Sequence, residues 1–86
     1  MASYSITFAR SARKDLQGLE RPFALRILSA IEGLADDPRP SGCRKIRGSK
    51  DLWRIRIGDY RVVYSVEDAP RVIDIVVVRH RSDAYR

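Results

Sequence analysis

A chain of 86 residues has room for one domain with one modest core. Its hydrophobic residues, 44% of the total, fall in short patterned runs, which argues against disorder, and the single cysteine, Cys43, rules out an internal disulfide or a cysteine-built metal cluster. The 17 Lys and Arg outnumber the 11 Asp and Glu, giving a formal net charge of +6, an excess that points to a polyanionic partner.

Tyr4, Ile6 and Phe8 alternate with Ser5 and Thr7, the period of two expected of an opening strand buried on one face. Ser11 then reads as an N-cap. Ala12, Leu16 and Leu19 follow at helical spacing, for a short helix ending between Gly18 and Arg21. Pro22 suits the first turn of a second helix. Phe23, Ala24, Ile27, Leu28, Ile31, Leu34 and Ala35 lie on one side of that helix, which should stop at Asp37, Pro38 and Pro40. Strands follow: a possible extended stretch over Lys45 to Arg47, then Leu52 to Ile57, Tyr60 to Val66 and Val72 to Val78. Gly58-Asp59 reads as a two-residue hairpin loop, and Asp68 to Arg71 as the next turn. This order predicts an α+β fold over residues 1–86, a small single domain. Its N-terminal strand and two-helix hairpin should pack on one face of a mainly antiparallel, twisted sheet of four to five strands.

No segment approaches the ~20 apolar residues of a membrane span. The stretch from Tyr4 to Ala9 is broken by Ser5 and Thr7 and followed by Arg10, Arg13 and Lys14, unlike a signal peptide. A reducing cytoplasm is the expected compartment.

The hairpin loop fixes a register. Ile57 should face Tyr60, Ile55 face Val62 and Trp53 face Tyr64, one apolar face to meet the helices. The other face then pairs Arg54 with Val63 and sets Arg56 directly across from Arg61. Like charges so placed repel, and an anion bridging the two guanidiniums would offset the repulsion. A solvated face, with the arginines splayed or paired to Asp74 or Glu67, is the plain alternative. Arg44, Lys45, Arg47 and Lys50 in the preceding segment are expected to join the basic side.

The run Arg79-His80-Arg81-Ser82-Asp83-Ala84-Tyr85-Arg86 has no apolar periodicity and should be exposed. Packing therefore gives little account of Tyr85, whereas a phenol among arginines can stack a base or take a proton beside phosphate-binding groups; docking on the core edge is the alternative. His80, the only histidine, cannot supply a two-histidine ribonuclease mechanism, and Asp and Glu do not cluster at metal-ligand spacing among the late strands. Serine, threonine and cysteine nucleophiles lack a base and an orienter. A site of cations and one phenol suits attack of an RNA 2′-hydroxyl on its adjacent phosphodiester, because the substrate then brings its own nucleophile and arginines need only position and neutralise. No metal or other cofactor is implied.

In chain order, Ile6-Thr7-Phe8 with Ala12 to Leu19, Lys45-Ile46-Arg47-Gly48, Leu52-Trp53-Arg54-Ile55-Arg56, Gly58-Asp59-Tyr60-Arg61-Val62-Val63-Tyr64 and the Arg79 to Arg86 tail resemble the RelE/ParE toxin superfamily over essentially the whole chain. The tail resembles the RelE-like branch, whose members are ribosome-dependent mRNA endonucleases acting in the decoding site. ParE-like members, which poison DNA gyrase without cleaving RNA, generally lack such a tail. The resemblance places Arg61, Arg79 and Tyr85 at catalytic positions, with His80 and Arg81 taking the part of Arg79 if the register is anchored on the histidine. Arg54 and Arg56 fall where the family uses lysines to hold RNA, and Arg47 matches a further basic contact; Lys45, from the charge pattern, is expected to bind RNA beside them. It implies as partners the ribosome, mRNA and a cognate antitoxin protein that wraps the toxin, in a toxin–antitoxin hetero-oligomer.

Overall fold

The computed structural model describes residues 3–82. Seven elements follow in order: β1 (Ser5–Phe8), α1 (Arg10–Gln17), α2 (Arg21–Gly33), β2 (Arg44–Lys45), β3 (Leu52–Ile57), β4 (Tyr60–Asp68) and β5 (Arg71–His80). The strands form one sheet in the order β1-β5-β4-β3-β2. Every neighbouring pair is antiparallel except β1 and β5, which run parallel with Ser5 opposite Val72 and Phe8 opposite Ile75.

The hairpin register is the expected one: Ile57 opposes Tyr60, Ile55 opposes Val62, Trp53 opposes Tyr64 and Arg56 opposes Arg61. Gly58 supplies the positive φ, at 60°, that the first position of a type II′ turn demands, and Asp59 needs none. Alternation then puts Ile55, Val62, Tyr64 and Val66 in the core beneath the helices. Ile73, Ile75 and Val78 join them from β5, and Ala12, Ile27, Ile31 and Leu34 close the core from the helical side.

Five elements differ from the sequence reading in their bounds or caps. Ser11 is not an N-cap: α1 begins at Arg10 behind Ala9, and the Ser11 hydroxyl instead donates to the Val76 carbonyl at 2.7 Å. One turn on, the Asp15 carboxylate accepts from the Val78 amide at 3.0 Å. Because β1 ends at Phe8, this part of β5 has no strand on its outer side. Two α1 side chains, four residues apart on one helix face, satisfy the backbone there. The second difference is that α2 ends at Gly33 and continues only as a turn, and β2 shrinks to Arg44–Lys45. Finally, the β4–β5 hairpin is longer at both ends than the apolar pattern implied. Its turn is cut to Ala69-Pro70, and Arg79 and His80 lie inside β5 rather than in an exposed tail.

At the β4–β5 turn, Asp68 gathers three elements. It accepts the Tyr4 hydroxyl at 2.6 Å and an ion pair from Arg39 at 3.1 Å, while the Arg39 guanidinium also lies 5.1 Å from the Trp53 ring centroid. Nearby, the buried Tyr64 donates its hydroxyl to the Pro38 carbonyl at 2.8 Å, and burial holds its phenol well above the ordinary tyrosine range. These contacts fix the chain between α2 and β2 against the sheet.

Candidate functional site

On the sheet face turned away from the helices, registry aligns side chains in rows across the strands. Arg56 on β3 opposes Arg61 on β4, and Arg61 in turn opposes Arg79 on β5, so three arginines stand side by side. One row further along, Arg44 opposes Arg54, which opposes Val63, which opposes Val77. Directly opposed residues on neighbouring strands have Cβ atoms about 4.5–5.5 Å apart, and each like-charged pair works against the sheet by a fraction of a kcal/mol up to about 1 kcal/mol. Arg56 and Arg79 are exposed and Arg54 and Arg61 half-buried. The ion pairs of the described residues join Arg39 to Asp68 and Arg81 to Asp59, and neither takes Arg56 or Arg79. Asp74, a possible neutralising carboxylate, is engaged on the β1 side by the Thr7 hydroxyl at 2.7 Å.

The chain leaves β5 beside this row. The Arg81 amide donates to the Asp59 carbonyl at 2.7 Å, pinning the end of the strand to the hairpin tip. Arg81 thereby joins Arg56 and Arg61 around a cleft of about 270 Å³ floored by Gly58, Asp59 and Tyr60. Its guanidinium lies 3.9 Å from the Asp59 carboxylate with both side chains largely in solvent, a weak pairing that leaves the charge available. Three guanidiniums around one open cleft are a setting for a phosphate group and its flanking sugar.

Not every residue singled out from sequence reaches this cleft. His80 follows Arg79 on the strand and so points to the other face, where its ring meets Tyr60 edge-on at 5.2 Å and its Nδ1 lies 2.9 Å from the Ser82 hydroxyl. Strand alternation thus sets Arg79 and Arg81 on the basic side and His80 behind it. Lys45 likewise opposes Trp53, on the face away from Arg54, whereas Arg44 is aligned with Arg54. The expectation that the whole Arg44 to Lys50 segment converges on one side is corrected accordingly. The reason is that no two-residue loop fixes the β2–β3 register as one does for β3–β4. Arg47 is exposed in the turn after β2. Tyr85 lies outside the described residues. Among those residues, no three His, Cys, Asp or Glu side chains gather at a metal-binding spacing, and no helix is long and apolar enough to cross a membrane.

A mainly antiparallel open sheet with two helices behind it, and a basic cleft on its bare face, is the class of small α+β domain that this chain forms. The family described as the ParE toxin of type II toxin–antitoxin systems matches residues 6–85. A putative RelE-like toxin protein of Escherichia coli is 33% identical over 95% of this chain and 90% of its own, and the toxin RelE of Mycobacterium tuberculosis is 31% identical over 96% and 87%. The toxin in the archaeal RelE–RelB complex of Pyrococcus horikoshii superposes with a TM-score of 0.81 at 33% identity, covering 92% of this chain and 96% of that one. The chain belongs to the RelE/ParE superfamily of type II toxin–antitoxin toxins.

Proposed function

We propose that this toxin is a ribosome-dependent mRNA endoribonuclease, acting in the cytoplasm and held inactive by a cognate antitoxin in a hetero-oligomer. The observation that carries the reading is the row of Arg56, Arg61 and Arg79 across three strands with Arg81 at its end. Like charges set side by side across neighbouring strands repel, and a bound anion offsets that repulsion. The relatives named RelE point the same way.

In the reaction, the RNA 2′-oxygen attacks the adjacent phosphorus, the bond to the 5′-oxygen breaks, and a 2′,3′-cyclic phosphate and a free 5′-hydroxyl result. Arg61 and Arg79 neutralise the charge that grows on the non-bridging oxygens. Arg81 donates a hydrogen bond toward the leaving 5′-oxygen, which takes its proton from water, and Tyr85, its phenol ionised beside the arginines, takes or relays the 2′-hydroxyl proton. Arg54 and Arg56, with Arg44 and Arg47, hold the flanking phosphates. His80 acts from behind, setting Tyr60 and Ser82 rather than touching substrate.

Purified toxin added to translating ribosomes, with the mRNA read by primer extension, should give cuts within codons. Naked mRNA should stay largely intact. The family match to ParE supplies the second reading, a gyrase inhibitor that cleaves nothing. Uncut mRNA together with gyrase-dependent DNA breaks would establish it.

A further inference from the structure

A second cleft, of about 230 Å³, lies on the helix side of the hairpin tip. Phe23, Ile27 and Ile57 give it an apolar floor, the rings of Tyr60 and His80 form one rim, and Arg26 forms the other. Phe23 and Leu25 are the exposed large hydrophobic side chains among the described residues, at 40% and 54%, and Phe23 sits against the Tyr60 ring at 5.9 Å. The volume falls below the roughly 300–1,000 Å³ of small-molecule sites and suits a single large side chain. Arg26 reaches across to Gly58, its guanidinium 3.7 Å from where a Cβ there would stand, and no ion pair of the described residues includes it. An apolar pocket with an exposed guanidinium on its rim is complementary to an apolar anchor that carries a carboxylate beside it.

We infer that this cleft is where the antitoxin seats one large apolar side chain, with a neighbouring carboxylate on Arg26. The inference rests on the family membership above and adds a place and a chemistry for the partner. Gly58, Asp59 and Tyr60 line both clefts, so the pocket and the basic site are two sides of one wall. A protein anchored here is held against the hairpin tip that carries Arg56 and Arg61, which fits an inhibitor better than an unrelated partner. A buried anchor in a desolvated pocket is also the kind of contact that dominates an interface.

The test uses the intact complex of this toxin with the antitoxin encoded beside it, reading the antitoxin's dissociation rate. Phe23→Ser and Arg26→Glu should each speed dissociation about tenfold or more, while Leu25→Ser, which alters an exposed apolar side chain outside the cleft, should stay within about twofold. Arg26→Glu changes an exposed side chain and carries the test alone if Phe23→Ser fails to fold. Wild-type dissociation in the Arg26→Glu complex would overturn the inference. So would an equal effect of all three variants, which would mean a diffuse helix surface. A third contrary result is loss of mRNA cutting by free Phe23→Ser and Arg26→Glu toxin with dissociation unchanged, which would give the pocket to an RNA base. Dissociation needs no nuclease activity, so a toxin that cuts nothing leaves this reading standing while refuting the endoribonuclease.

Discussion

The two ends of β4 use arginine in opposite ways. At the β4–β5 turn, Arg39 is matched to Asp68, lies over Trp53 and, with Tyr4, ties three elements together. At the other end, Arg56, Arg61 and Arg79 stand in line on the bare face, with Arg81 beside them. An arginine matched to a carboxylate and a ring helps to hold a fold, whereas a file of like charges works against one. The same strand therefore separates stability from function along its length, as alternation separates them across its two faces.

The largest expected effect is that of the proposed proton acceptor. Tyr85→Phe keeps the ring and removes the hydroxyl, so the single-turnover cleavage rate should fall on the order of 10²-fold with ribosome binding little changed. A near-normal rate would reduce Tyr85 to a stacking role. At the structural end, Tyr64→Phe strands the Pro38 carbonyl beside a buried ring and should cost about 1 kcal/mol in denaturant unfolding, leaving free-toxin cleavage near normal. If activity fell with stability unchanged, the division between the two ends would be wrong.

A smaller effect is expected for Arg56→Ala. Loss of one phosphate contact should flatten the log–log dependence of ribosome or RNA affinity on salt by about 0.7 to 0.9. Arg39→Ala, a charge removed from the matched end, should leave that slope alone. The smallest effect concerns acid. Arg39 and the Tyr4 hydroxyl hold the Asp68 carboxyl below the ordinary carboxylate range. A depressed folded-state value adds stability above the unfolded value of about 3.9, and that stability is lost as pH falls through the folded one. Asp68→Asn should therefore be less stable than wild type at neutral pH, with the difference closing below about pH 4. Melting curves across that range would show it, and a constant difference would place the contribution in packing instead.

The face pattern and the β3–β4 register were legible in sequence because a two-residue loop allows few pairings and an apolar face must be buried. From that one hairpin follow the core positions Ile55, Val62 and Tyr64 and the opposition of Arg56 to Arg61. What was not legible depended on partners distant in the chain. Ser11 looks like a cap until β5 presents an unpaired Val76 carbonyl to it. The parallel pairing of β1 with β5 and the turning of Lys45 away from Arg54 require registers that no short loop fixes, and the third arginine of the row comes opposite Arg61 only through the register shift between Val63 and Tyr64. His80 reads as a tail residue because the apolar run ends at Val78, although the strand ladder continues two residues further. Arg26 and Phe23 gave no signal beyond ordinary helix positions, since only the fold brings them to the hairpin tip.

The central claim is that the arginine row is a reaction site rather than a solvated face, and Arg61→Ala tests it most directly. With the variant's fold verified by circular dichroism, its single-turnover cutting of ribosome-bound mRNA should be slower on the order of 10²-fold. Cutting at the wild-type rate would contradict the account.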